Sequence, residues 1–443
     1  MTDSVSPRRR RETIEALRRG TVPSAGLDLL AVGLDRFAPA LDRELDAASS
    51  GAAVFKAIRG EYGAGKTFLV RWLAERALRR GFAAAEIQIS ETETPLHRLE
   101  TVYRRLTESV RTSSFPPSAL QPVFDSWLYT LERDAASHEG AQILGRDSLA
   151  AAVGDLLERR LATVSAKTPM FAQGLRAFHA ACEAGDFATS AGLAAWLGGQ
   201  PNVGATIKRR AGIRGELDHF GSLGFLQGLL AVLRDSGHAG LLVVLDEVET
   251  LQRVRSDARD KALNALRQLI DEVHSGRFPG LFFVITGTPA FYDGPQGVQR
   301  LAPLAQRLAT DFTANPKFDN PRAVQLRLTG FTEASLVELG GRVRGLYAAG
   351  ISGSAAGRIE ELVDDAYLVE LAGAVAGRLG GKVGVAPRLF LKKLVGDVLD
   401  RVDQFDDFDP RRDYPLTIAS AEMSELERNA AAKSADDVEL DLG

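Results

Sequence analysis

Apolar residues recur along the chain in two rhythms. Short runs with almost no polar interruption occupy 52–58 (Ala-Ala-Val-Phe-Lys-Ala-Ile), 240–245 (Gly-Leu-Leu-Val-Val-Leu) and 281–285 (Leu-Phe-Phe-Val-Ile). Runs of this length and composition predict strands buried on both faces of a parallel sheet. Residues 82–89 predict another strand, with alternation at its end, and 323–328 a last one.

Elsewhere the period is helical. Phe68, Leu69, Trp72, Leu73 and Ala77 fall at helical spacing directly after the first run. From about 95 to 217 no strand pattern appears; helical patterns cover 96–112, 122–136, 148–164, 170–183 and 189–197, which predicts a long helical insertion. A helix over 221–235 precedes the 240–245 run, and a charged helix over 257–275 follows it. At the N-terminal side, Ile14 and Leu17 share one face of a helix over 12–19 that Gly20 stops. A second helix is expected from the 30–37 stretch to about Ala48, closed by Ser49, Ser50 and Gly51. After the last strand, Thr332 opens helices running to about Val402, followed by an acidic tail.

The turn after the first strand is the most informative segment. It reads Gly60-Glu61-Tyr62-Gly63-Ala64-Gly65-Lys66-Thr67, a complete G-x-x-x-x-G-K-T phosphate-binding loop between a strand and a helix. Glycines let successive backbone N–H groups converge on phosphates, and the following helix adds the positive end of its dipole. Lys66 supplies a point charge to the β/γ oxygens, and Thr67 a hydroxyl to Mg²⁺. The 240–245 run ends in Asp246-Glu247. Asp246 is the expected Mg²⁺ ligand, direct or through a water, and Glu247 the expected base that orients or deprotonates the attacking water.

Other candidates are weaker. Thr286 and Thr288 end the 281–285 strand, where a hydroxyl either meets the γ-phosphate or the water, or caps its own turn; Thr286, as the first residue off the strand, is preferred. Arg300 and Arg307 lie on a helix expected over 299–308 and are either solvated or presented to a neighbour's γ-phosphate as a finger. Arg388 follows Pro387 in the first turn of a helix, the wrong end for the dipole, so a nearby anion such as a bound phosphate would explain its placement.

Composition changes this picture little. With 443 residues, 45% hydrophobic and 25% charged, the chain is an ordinary globular one with room for two or three domains. The formal net charge of -4 gives no general case for nucleic acid or anionic membrane, so any such surface is local. The run Arg8 to Arg11 is either a solvated face or a phosphate-backbone contact. Cys182 is the only cysteine, which excludes a disulfide framework, fits a reducing compartment and is expected to fill core. No apolar run approaches bilayer length, so the expected location is cytoplasmic. The histidines have no metal-ligand spacing, and no Ser/His/Asp set stands out.

The expected fold is therefore an α/β P-loop NTPase with a parallel sheet, a long helical insertion and a C-terminal helical lid. The expected division is N-terminal helices over 1–50, an ATPase domain over 51–330 with its insertion at about 95–217, a helical lid over 331–408 and an acidic tail over 409–443.

The nucleotide part resembles the AAA+ class of P-loop ATPases, near its origin-recognition-like branch. The whole chain, from about Arg10 to Phe408, is similar to the BrxC/BrxD family of ATP-binding proteins of BREX bacteriophage-exclusion systems, nearest the shorter BrxD type. The phrases that carry this resemblance are Ile14 to Gly20 with Val22-Pro23 and Val32-Gly33, the phosphate loop, Trp196-Leu197-Gly198-Gly199, Gly237-His238-Ala239-Gly240-Leu241 ahead of Asp246-Glu247, and Pro387-Arg388. The resemblance implies ATP contacts at Gly60, Gly63, Gly65, Lys66 and Thr67, Mg²⁺ on Thr67 and Asp246, and Glu247 as catalytic glutamate; Glu61, Tyr62, Ala64 and Phe68, in and just after the loop, are further candidates for nucleotide contact. It implies Thr286 at a first sensor position and Arg388 at a second. It also implies a homo-oligomer and partners in anti-phage defence: a helicase, a DNA methyltransferase and an alkaline-phosphatase-like protein, with double-stranded DNA as a further candidate. An ATPase that drives or switches a defence assembly on DNA is expected, with a nucleotide-gated scaffold of little turnover as the alternative; a small-molecule kinase fits less well, because Glu247 suits water attack.

Overall fold

The computed structural model describes residues 5–138, 146–378, 387–418, 422, 423 and 428. Most of the acidic tail expected over 409–443, and the residues just before Pro387, lie outside these. Along the chain, α1 (Pro7–Arg18) and α2 (Ala38–Ser49) precede β1 (Val54–Arg59), α3 (Lys66–Arg79) and β2 (Ala83–Gln88). Then come α4 (Leu99–Ser109), α5 (Leu120–His138), α6 (Arg146–Lys167), α7 (Pro169–Glu183), α8 (Phe187–Leu197), α9 (Ala205–Arg210) and α10 (His219–Asp235). These lead to β3 (Leu241–Asp246), α11 (Ser256–His274), β4 (Leu281–Gly287), α12 (Pro289–Asp293), α13 (Ala302–Arg307) and β5 (Gln325–Arg327). The last elements are α14 (Glu333–Ala348), α15 (Ser354–Leu362), α16 (Asp365–Arg378), α17 (Pro387–Lys392), a π-helical stretch Lys393–Leu399, α18 (Asp400–Gln404) and α19 (Pro410–Asp413).

The strands form one sheet in the order β2-β3-β4-β1-β5, the crossover pattern of a parallel α/β P-loop fold. β2 runs parallel to β3 from Ala83↔Leu241 to Gln88↔Asp246, and β3 parallel to β4 from Leu241↔Leu281 to Leu245↔Ile285. Every residue of β1, β3 and β4 is buried, which is why their sequences carry no polar alternation.

The structure shifts three sequence expectations. α1 begins at Pro7, capped by the Ser6 hydroxyl, so the arginine run lies within the helix rather than ahead of it. α2 begins only at Ala38, because Gly26 and Gly33 take left-handed backbone and the chain between them turns. The expected helix over 299–308 is two pieces, a 3₁₀ turn Val298–Arg300 and α13, separated by extended Leu301 with Pro303 in the first turn of the new helix.

The chain divides into two compact units, the first made of the described residues of Met1–Ala40, Ile58–Glu75 and Asp311–Gly443, the second of Leu41–Ala57 and Arg76–Thr310. In the first unit Ile14 and Leu17 of α1 join Leu339, Val343, Phe390 and Leu394 in one apolar core. Arg18 adds a bidentate pair to Asp400 at 2.6 and 2.8 Å, a contact that raises the arginine's pKa; Asp400 also accepts from the Tyr347 hydroxyl at 2.7 Å. Arg9 pairs with Glu75 at 2.7 Å, and Arg10 donates to the Ala349 carbonyl, so this arginine run is partly structural.

In the second unit the helical insertion has an aromatic core, with Phe225 ring centroids 5.2 Å from Phe171 and 5.3 Å from Trp196. Gly228 permits α10 to approach, since a Cβ there would lie 2.3 Å from the Phe171 ring. The Trp196-to-Gly199 phrase ends α8, where Tyr103 donates to the Leu197 carbonyl at 2.9 Å and Thr107 to Gly198 at 2.7 Å. Cys182 is half-buried and its thiol pKa is pushed up by desolvation. Among the described residues no helix is long and apolar enough to cross a membrane.

Candidate nucleotide site

β1 delivers the chain at Arg59, six loop residues turn it, and α3 opens with Lys66. Gly63 at φ 77° and Gly65 at φ 92° occupy the left-handed region, where a side chain would be strained. Gly60 is required for space: a Cβ there would sit 3.1 Å from the Leu328 carbonyl oxygen. In general the first-turn N–H groups of a helix that follows such a loop point along its axis, toward where an anion is favoured. Lys66 is buried; its ammonium donates to the Gly60 carbonyl at 3.0 Å and to Glu61 at 3.4 Å and lies 5.0 Å from the Tyr62 ring centre. Glu61 and Gly63 are exposed, Ala64 is buried, and Thr67 is half-buried in the first turn of the helix. Phe68 packs on the apolar core of the first unit, so its place is among core side chains.

The carboxylate centre lies at the ends of β3 and β4. Asp246 is buried as the last residue of β3, and Thr286 is fully buried inside β4, which runs on to Gly287; the expectation that Thr286 is off the strand is corrected. The Thr286 hydroxyl donates to Asp246 Oδ1 and accepts from the Glu247 N–H at 3.1 Å. Glu247 takes φ 60° and ψ 42°, left-handed for a residue with a full side chain. That conformation costs about 1–3 kcal/mol and persists only where the surroundings over-determine it. Here its N–H is held by Thr286, and its carbonyl accepts from the Thr250 N–H at 3.1 Å and the Thr250 hydroxyl at 2.9 Å. The Glu247 carboxylate accepts from Gln88 Nε2 at 2.8 Å.

Gln88 contacts the candidate base, and sequence reasoning missed it. It ends β2, in register with Asp246, and the parallel pairing brings its amide to the neighbouring carboxylate. The strand-end position was the available signal, since such positions line ligand crevices in parallel sheets.

The remaining candidates divide. Thr288 caps α12, accepting from the Phe291 N–H, the turn-capping alternative for this residue. Arg300 forms a bidentate pair with Asp260 on α11 and donates to Ser256 at 2.8 Å; the Asp260 hydrogen bond raises its pKa. Arg307 pairs in the same way with Asp271, further along α11. A finger role for either therefore requires its own ion pair to open. Arg388 lies in the first turn of α17 as expected and donates to the Glu422 carbonyl at 2.8 Å.

Among the described residues no group of three or more His, Cys, Asp or Glu side chains could by itself hold a metal ion. Mg²⁺ that arrives with a nucleotide needs less from the protein, a hydroxyl and one carboxylate alongside phosphate oxygens and water. Thr67 is a hydroxyl in the first turn of α3, and Asp246 is a buried carboxylate at the end of β3.

The family model described as "BREX system ATP-binding protein BrxC/D" matches residues 5–418. Among solved structures the chain is similar to a Walker-type ATPase of Pyrococcus abyssi, at 14% identity over 86% of this chain and 77% of that one, with a TM-score of 0.29. It is also similar to the ORC2 protein of Aeropyrum pernix, solved in ADPNP–ADP complexes, at 14% identity over 92% of this chain and 71% of that one, with a TM-score of 0.31. No curated protein matches the chain.

Proposed function

The chain belongs to the family of BREX system ATP-binding proteins, BrxC/D, and from that premise we propose that it hydrolyses the ATP it binds and that the cycle drives or switches a defence assembly acting on DNA. In this proposal the N–H groups of Gly60 to Thr67 and the Lys66 ammonium take the β- and γ-phosphates. Thr67 and Asp246 would hold Mg²⁺, which would supply charge neutralisation at the phosphate oxygens. Glu247 accepts the proton of the attacking water, Gln88 positions its carboxylate, and Thr286 fixes the Glu247 backbone and Asp246 together. Arg388 contacts the nucleotide, and Arg300 or Arg307 reaches a neighbouring subunit in a homo-oligomer. The partners proposed are the helicase, the DNA methyltransferase and the alkaline-phosphatase-like protein of the system, with double-stranded DNA as the substrate of the assembly.

The observation that supports hydrolysis over binding alone is the hold on Glu247. A strained backbone fixed by Thr286 and Thr250, with the carboxylate presented to an amide, is an arrangement that nucleotide binding alone does not need. The test is phosphate release by the wild type and Lys66→Ala, with and without double-stranded DNA. Wild-type turnover that Lys66→Ala abolishes is expected; two equally inert proteins in both conditions would remove the motor.

A second reading, a nucleotide-gated scaffold, is favoured by the extent of the insertion, α4 to α10, with its own aromatic core. Phage-defence assays with Glu247→Gln discriminate: a scaffold keeps full defence, a hydrolytic cycle does not.

A further inference from the structure

The second unit carries a surface that ATP chemistry does not use. Phe187, the first residue of α8, is 81% exposed, an unfavourable position for a large apolar side chain that covers nothing. The preceding Asp186 caps α8 by accepting from the Thr189 N–H at 3.0 Å and also accepts from Arg210 of α9 at 3.2 Å. That bond brings the basic end of α9 against the start of α8. Ile207 packs so closely on Gly192 that a Cβ there would lie 2.5 Å away, which fixes α9 along α8. Arg209, Arg210 and Arg214 are exposed and Lys208 is half-buried.

Charge in this segment is one-sided. Between Asp186 and Glu216 the sequence contains no acidic residue, in a chain whose formal charge is -4. Several other arginines of the second unit, among them Arg160, Arg176, Arg300 and Arg307, are bound to carboxylates. Among the described residues Lys208, Arg209 and Arg214 have no such ion pair. A basic helix end is favourable on dipole grounds alone, which accounts for part of the charge but not for an exposed phenylalanine beside it. Cations that follow a phosphodiester backbone, together with an aromatic face on which an unstacked base can lie, are the two components of single-strand recognition.

We propose that the α8–α9 face binds single-stranded nucleic acid, with Lys208, Arg209 and Arg214 on phosphates and Phe187 stacked on a base. The proposal rests on the DNA-directed part of the proposed function and not on hydrolysis. Fluorescence anisotropy of the full chain tests it, using labelled oligo(dT) of about 20 nucleotides, its uridine counterpart and a duplex of the same length. Titrations span roughly 50 to 200 mM salt without ATP. The wild type should bind both single strands, and better than the duplex. Combined Lys208→Ala, Arg209→Ala and Arg214→Ala should weaken binding and reduce the salt slope by about 2, at roughly 0.7 per phosphate contact. Phe187→Ala should weaken it roughly tenfold at an unchanged slope. Phe187, Arg209 and Arg214 are exposed and Lys208 is only half-buried, so the variants should keep a thermal midpoint close to the wild type.

No binding at low salt, an unchanged slope in the triple variant, unchanged affinity in Phe187→Ala, or duplex binding as tight as single-strand binding would each overturn the proposal. Lys66→Ala separates the two claims. It should retain oligonucleotide affinity while losing ATP turnover, so either claim can fail alone.

Discussion

Glu247 concentrates the features of the proposed site in one residue: a strained backbone, a buried aspartate before it and an amide across its carboxylate. The hydroxyl of Thr286 connects Asp246 to the Glu247 N–H, so removing it leaves two polar groups without that partner. Thr286→Val should cost about 1–3 kcal/mol of stability and reduce turnover at least roughly tenfold. ATP affinity should stay within a few-fold, measured by isothermal titration. Gln88→Ala should lower kcat while leaving KM near its wild-type value, the pattern of a residue that positions the base rather than binds substrate. Asp246 and Glu247 were readable because they stop a long apolar run. Gln88 was not, since a polar residue at a strand end reads as an ordinary boundary until the register with Asp246 is known.

Elements followed the sequence where burial is complete and departed from it where turns decide. β1, β3 and β4 are buried throughout, and apolar runs with little polar interruption mark such strands clearly. The 299–308 segment broke because local dihedrals at Leu301, not periodicity, set where α13 begins. Turn chemistry also gives the 60–67 loop its shape. Gly65→Ala places a side chain at φ 92° and should weaken ATP binding at least roughly tenfold by the strain alone, read as a loss of nucleotide-induced thermal shift. At the turn between α10 and β3, burial lowers the pKa of His238 below 6.5, while its ring faces the Gly81 carbonyl at 3.3 Å. With the folded value depressed, the unfolded chain binds the extra proton first. The stability contribution is therefore complete above pH 6.5 and lost as pH falls through the folded value. Chemical denaturation across that range should have a slope that His238→Gln flattens.

At the scale of the whole molecule, the N-terminal segment belongs to the same compact unit as the C-terminal helices. Periodicity in α1 identified Ile14 and Leu17 as an apolar face but could not say what covers it, because Phe390 and Leu394 are far away in sequence. Leu17→Ala should destabilise that unit by about 2–5 kcal/mol, visible as a lowered unfolding midpoint by circular dichroism. The family, by contrast, was legible from phrases spread along the chain, and the matched span of 5–418 covers them. The central claim is that this chain hydrolyses ATP through Glu247. The most direct measurement compares ATP binding and phosphate release in the wild type and Glu247→Gln under identical conditions. The variant should bind ATP as tightly as the wild type while releasing phosphate roughly 100-fold or more slowly, the effect of removing a general base; equal release rates would contradict the claim.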